Sequence, residues 1–183
     1  GKKERFLKLL TWGTLSTVAT IWWLPSVIIM GSITLSLAAL LLLSIFGGVW
    51  FLIAGAAVSS ALRRFPKSSI WMVPAIWIVV EYLRSIGEIS FPWSFPGYLY
   101  TPFLWISQLA SITGIWGVSA LAIWISFIFY KFLINDISTK KFFTKVSLVL
   151  VPILLFGALS IQSKPKTNRD YSIAVIQSNM NHE

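Results

Sequence analysis

"EYLRSIGEISFPWSFPGY", Glu81 to Tyr98, holds two of the six acidic residues of the chain, an arginine, three prolines or glycines after the last carboxylate and a dense run of aromatics. The sequence on either side of it is strongly apolar. On a helix, Trp77, Glu81 and Arg84 are spaced i, i+4, i+7 and share one face, so Glu81 and Arg84, at i, i+3, are expected to form a structural ion pair. "SIG" then closes the helix. Pro92 and Pro96 remove amide donors and stiffen the chain that follows. A charged helix end and a rigid aromatic loop are thus expected together at one place.

The surroundings decide what kind of place this is. Of 183 residues, 56% are hydrophobic and only 11% charged, with a mean hydropathy of +0.78. Soluble domains carry about a quarter charged residues, so the composition belongs to the membrane class. The net charge of +9 raises the question of nucleic acid. Its basic residues, however, stand in short clusters between long apolar runs rather than in a phosphate-tracking stripe, so no nucleic-acid partner is expected. The chain has no cysteine, which excludes a disulfide framework and a thiolate ligand or nucleophile within it. The single histidine is His182, so no metal site and no cofactor are expected. No P-loop, dinucleotide fingerprint or internal repeat is present.

A spanning helix needs about 20 mostly apolar residues. Five runs qualify: Phe6 to Met30, Ile33 to Leu62, Ser68 to Gly87, Ile112 to Ile134, and the shorter Val146 to Ile161. The expected fold is therefore an all-α polytopic membrane bundle of about five transmembrane helices. Lys2, Lys3, Arg5 and Lys8 precede the first run, Arg63, Arg64 and Lys67 separate the second and third, and Lys131, Lys140, Lys141 and Lys145 separate the last two. All three clusters fall on one side of a five-span bundle. The positive-inside rule makes that side cytoplasmic and places the C-terminus outside. Trp22, Trp23 and Pro25 then sit where an outer-face aromatic belt is expected. "GAAVS", Gly55 to Ser59, is a small-residue pattern that brings helices close.

The chain divides into a helical membrane domain over 1–163, a polar linker over 164–170 and, over 171–183, the start of a further domain. Tyr171 to Gln177 is β-branched and apolar, as a buried strand is. One strand leaves its backbone groups unpaired, so it reads as the opening of an extracytoplasmic α/β domain cut short.

"EYLRSIGEISFPWSFPGY" followed at Gln108 by "QLASITGIWGVSAL" resembles the membrane part of bacterial apolipoprotein N-acyltransferases. The matching positions are Glu81, Arg84, Phe91, Pro92, Trp93, Gly97, Tyr98, Gln108, Gly114, Gly117, Val118 and Ser119. "TIWWLPSVIIMGSITLSLAALLLL" is similar to the family's Trp-containing outer loop and next helix, and "IAVIQSNM" to the first strand of its nitrilase-like domain. Ser178 departs from the usual Gly, Met180 from the usual Ile, and Ile89-Ser90 replaces Thr-Gly.

The resemblance implies an inner-membrane enzyme that moves an acyl chain from a phospholipid donor to the N-terminal cysteine amine of a diacylglyceryl lipoprotein. It also implies a thioester on a catalytic Cys, with a Glu base and a Lys oxyanion stabiliser, all in the nitrilase-like domain. None of these is carried onto a residue here. The fragment is expected to be inactive alone, with the family's first helices lying before Gly1. Phe91, Pro92, Trp93 and Tyr98 are the candidate substrate-binding residues, forming the lip of a site above the membrane. Against this stand two plainer readings. The loop would be an interfacial anchor only, or the chain a non-enzymatic membrane protein such as a transporter or assembly subunit. A transporter should show internal repeats and polar residues near the bilayer midplane. Here the second run is free of charge and the charged pair lies at one edge.

Overall fold

The computed structural model describes residues 1–26, 32–88 and 90–163. Over these residues the protein is all-helical, with α1 (Lys2–Ile21), α2 (Ile33–Arg64), α3 (Ser69–Ser85), the single turn α4 (Leu104–Ser107), α5 (Ala110–Leu133) and α6 (Thr139–Gln162). Three of them, α2, α5 and α6, are long and apolar enough to cross a membrane. This is fewer than the five runs read from hydropathy. α3 has 17 residues, and α1, with 20, begins on the cluster Lys2, Lys3, Glu4, Arg5, so apolar length is short in both. The expected strand over 171–177, the linker and the start of a nitrilase-like domain lie outside the described residues.

Helix limits follow local chemistry. α1 stops at Ile21, and Leu24–Ser26 forms a single 3-10 turn; Pro25 has no amide to offer the Ile21 carbonyl and its ring crowds it, so α1 ends short of the run read as reaching Met30. α2 opens on Ser32, whose side-chain oxygen accepts the Leu35 amide at 3.3 Å. It closes on Arg63 and Arg64, which complement the negative helix end. At 32 residues, or about 48 Å, it exceeds the hydrocarbon thickness of a bilayer, so its ends project or the helix tilts. α6 starts at Thr139 rather than Val146 because Lys140, Lys141 and Lys145, though polar, are good helix formers.

α1 packs along α2, α2 against α3, and α3 against α5, while α6 meets α5 and the α4 turn. The α1–α2 seam is built on glycines. A Cβ at Gly47 would collide with the Thr17 side chain, one at Gly48 with Thr14, one at Gly13 with Phe51, and one at Gly55 with Leu9. Lipid tails offer helices no hydrophobic advantage for associating, so such close approach supplies the packing instead. Buried hydroxyls within the seam are satisfied along their own helices. Thr17 donates to Gly13 O at 2.9 Å and Ser44 to Leu40 O at 2.6 Å, as apolar surroundings require.

The core lies between α3 and α5, where Val73, Val80, Val118, Leu121, Trp124 and Ile128 are buried. α6 is peripheral: Gly157 is its one buried residue, and Leu148, Leu155 and Leu159 are exposed. Gly157 is where α4 sits, since a Cβ there would run into the backbone of Trp105. Gly114, with φ 63° and ψ −170°, breaks α5 into a short first turn and a long second part. At the α5–α6 corner Lys131 pairs with Asp136 at 2.8 Å.

Candidate functional site

The last two turns of α3 carry the only buried charges among the described residues. Glu81 is 3% exposed and Arg84 5%. No contact ion pair joins them. Glu81 Oε1 instead accepts the Trp77 indole N–H at 2.6 Å, and Arg84 Nη2 donates to the carbonyl of Trp93 at 3.1 Å. The physical reason is geometric. The indole four residues back lies on the same face and takes the carboxylate, while the long guanidinium reaches past the helix end to the loop. The two charges still act on each other through space, but each has its own tether. Ser119 of α5 approaches the Glu81 carboxylate without meeting hydrogen-bond geometry.

The loop is held at two points. Arg84 holds Trp93 as described, and its backbone carbonyl accepts the Phe91 amide at 3.1 Å. Beyond it, the 3-10 turn Pro96–Tyr100 lies on α5, where the buried Gly97 amide donates to Ser119 Oγ at 3.0 Å. A Cβ at Gly97 would stand 3.0 Å from both Ile115 O and the Ser119 amide nitrogen, so only glycine permits this approach. Between the anchors Ser94 takes a left-handed φ of 64°, which turns Phe95 inward.

Phe95 is the loop's plug. It is 3% exposed, stacks on Tyr98 at 5.8 Å, meets Trp116 at 5.4 Å and lies under the Arg84 guanidinium at 5.0 Å. A desolvated cation over an aromatic face contributes about 2 kcal/mol or more. Trp93 points the other way, 45% exposed, against Trp23 at 5.2 Å and Phe91 at 5.4 Å.

The residues singled out from sequence therefore separate. Trp93 and Phe91 form an outward cluster with Trp23, and Pro92, beside them in the chain, is half-buried. Tyr98 instead lines a cavity of about 430 Å³ between α1 and the loop, together with Ser16, Thr17, Thr20, Phe95 and Leu99. Phe95 was missed by sequence reasoning; its position between Ser94 and Pro96 gave no period to read. Ser119 matched the family resemblance, but its role as the loop's anchor on α5 needed the fold. Among the described residues no group of three or more His, Cys, Asp or Glu is gathered that could hold a metal.

These features define a helical membrane module that presents a tethered aromatic loop at the end of a charged helix. Residues 1–128, which include every residue of that site, match the family model described as the apolipoprotein N-acyltransferase N-terminal domain, and the chain belongs to this family. It is similar to proteins named apolipoprotein N-acyltransferase from several bacteria. The Rickettsia prowazekii protein is 28% identical over 103 residues, covering 56% of this chain and 21% of that protein. The Rickettsia bellii protein is 26% identical over 128 residues, 69% of this chain and 26% of the relative. The Allorhizobium ampelinum protein is 28% identical over 175 residues, 89% of this chain and 31% of the relative. The chain thus spans about a fifth to a third of the length of these curated relatives. No solved structure matches it.

Proposed function

We propose that this chain is the membrane module of an apolipoprotein N-acyltransferase, which transfers an acyl chain from a phospholipid to the N-terminal cysteine amine of a diacylglyceryl lipoprotein. The observation that carries this reading is the family match over residues 1–128, which contains the tethered loop. The chain contains no cysteine, so a thiol nucleophile has to come from outside it. In this proposal a nitrilase-like domain, beginning near 171 after a linker over 164–170, supplies the nucleophile, its base and its oxyanion donor.

The module's part is to hold lipid substrates beneath that domain. Five spans, α1, α2, α3, α5 and α6, place the N-terminus in the cytoplasm of a bacterial inner membrane and the loop at the outer interface, consistent with the basic clusters. α1 and α3 cross as partners of α2 and α5, with their shorter apolar lengths matched by tilt of the neighbours or local thinning. Trp93 and Phe91, with Pro92, border the path of the acyl donor, and Tyr98 faces the α1 side of the loop. The carboxylate and guanidinium of α3 take no part in bond making; they fix the loop.

The test is lipoprotein N-acylation in a bacterium depleted of its own N-acyltransferase, read by mass spectrometry of a reporter lipoprotein's N-terminal peptide. The complete protein is expected to restore the N-acylated form, and this 183-residue chain alone is expected not to. Failure of the complete, membrane-inserted protein to acylate the reporter refutes the reading.

A further inference from the structure

Among the described residues, three polar atoms buried around the end of α3 meet no partner within hydrogen-bond geometry: Trp50 Nε1, Arg84 Nε and Glu81 Oε2, the last with Ser119 close to its carboxylate. The residues that carry them come from two helices, yet all three line one cavity of about 20 Å³ between α2, α3 and the loop, with Phe51, Ala54, Trp77 and Val80 also on its wall. A buried polar group without a partner is costly, and natural proteins leave few of them. Three around one small space therefore define a site.

The chemistry of the three atoms selects the occupant. The Trp50 indole and the Arg84 Nε offer only N–H donors, and Glu81, in its charged form beside the Arg84 guanidinium, offers only an acceptor. A metal cation would face two N–H groups, and an anion would face the carboxylate. A ligand must accept two hydrogen bonds and donate at least one, within a volume that holds about one probe sphere. Water alone of the common small species meets both conditions. Ser94, also on the wall, donates its own hydroxyl proton to the Trp93 carbonyl and keeps acceptor capacity for the second water proton.

We propose that this cavity is a binding site for a single ordered water, which joins Trp50 of α2 to Glu81 and Arg84 of α3. The water gives Arg84 Nε its partner while Nη2 holds Trp93, so α2 is tied to the loop although the two share no direct hydrogen bond among the described residues. This makes Trp50 a positioning residue for the loop. The inference is independent of the proposed acyl transfer.

The test is a map of the complete protein in lipid nanodiscs, at a resolution where ordered waters are visible elsewhere in the protein. The expected result is a peak at about 2.7–3.2 Å from Trp50 Nε1, Glu81 Oε2 and Arg84 Nε. An empty cavity in such a map, Glu81 and Arg84 closed directly onto each other, or a peak at an ionic distance of about 2.3 Å from the carboxylate each overturns it. Trp50→Phe keeps the ring and removes the donor. It is expected to lower Tm by roughly 2–4 °C and to remove the peak; a variant that keeps both the parent Tm and the peak also overturns the bridge.

Discussion

Arg84→Ala is the substitution that most directly asks whether α3 holds the loop. The side chain is buried, donates to the Trp93 carbonyl at 3.1 Å and covers Phe95 at 5.0 Å. A hydrogen bond from a charged group contributes about 1.5–3 kcal/mol, and a desolvated cation–π contact about 2 kcal/mol. Removing the guanidinium also takes the through-space charge partner from the buried Glu81 carboxylate, a smaller loss than that of a contact ion pair. These contributions overlap, since one side chain makes them all, so the expected destabilisation is about 3–5 kcal/mol in total. Arg84→Lys keeps the charge but loses the planar fork, so a smaller loss of about 1–3 kcal/mol is expected.

The assay is thermal unfolding of the purified complete protein in detergent, paired with limited proteolysis read by mass spectrometry for cleavage between Phe91 and Tyr100. Both variants should lower Tm in the order Ala below Lys, and the Ala variant should be cut in the loop faster than the parent. An Arg84→Ala protein with the parent's Tm and the parent's cleavage rate refutes the reasoning.

Ser119→Ala leaves the buried Gly97 amide without an acceptor and should cost about 1–3 kcal/mol, measured by the same unfolding assay, with an unchanged Tm counting against the α5 anchor. Trp93→Ala removes an exposed ring, so Tm should hold while turnover with phospholipid donor and lipopeptide acceptor falls; parent-level turnover would make the loop an anchor only. Reporter fusions after Arg64 and Lys141 should read cytoplasmic and a fusion after Gly97 external, and an external signal at Lys141 would end the proposed five-span topology. Gly47→Leu drives a side chain into Thr17 and should part α1 from α2, seen as loss of crosslinking between cysteines introduced across the seam in an active parent.

Much of the fold is present in local sequence, because apolar length is a local property. α2 and α5 fall within a few residues of the runs read from hydropathy. Boundaries set by other chemistry were less legible: Pro25 ended α1 early, and lysines extended α6 backwards. The candidate site divides the same way. Trp77 and Glu81 share a helical face, and their hydrogen bond follows from a spacing of four. The partner of Arg84 lies nine residues on, across a loop, and helical periodicity carries no information about it. Phe95 and Trp50 are further still from any periodic signal. Their importance comes from a backbone turned at Ser94 and from a cavity shared by two helices, both properties of the folded chain.

The double attachment of the loop has a consequence for how this region can vary in length. Trp93 is fixed to α3 and Gly97 to α5, with Ser94, Phe95 and Pro96 between them. One residue more or fewer in this interval would either break an anchor or rotate Phe95 out from beneath the guanidinium. The chain from Ile86 to Ser90 is bounded differently. It leaves the helix through the positive-φ Gly87, whose Cβ position meets open space, and its described residues are exposed. Insertions and deletions should therefore collect before Phe91, while the spacing from Trp93 to Gly97 stays constant, like the distance between two rivets through a single plate.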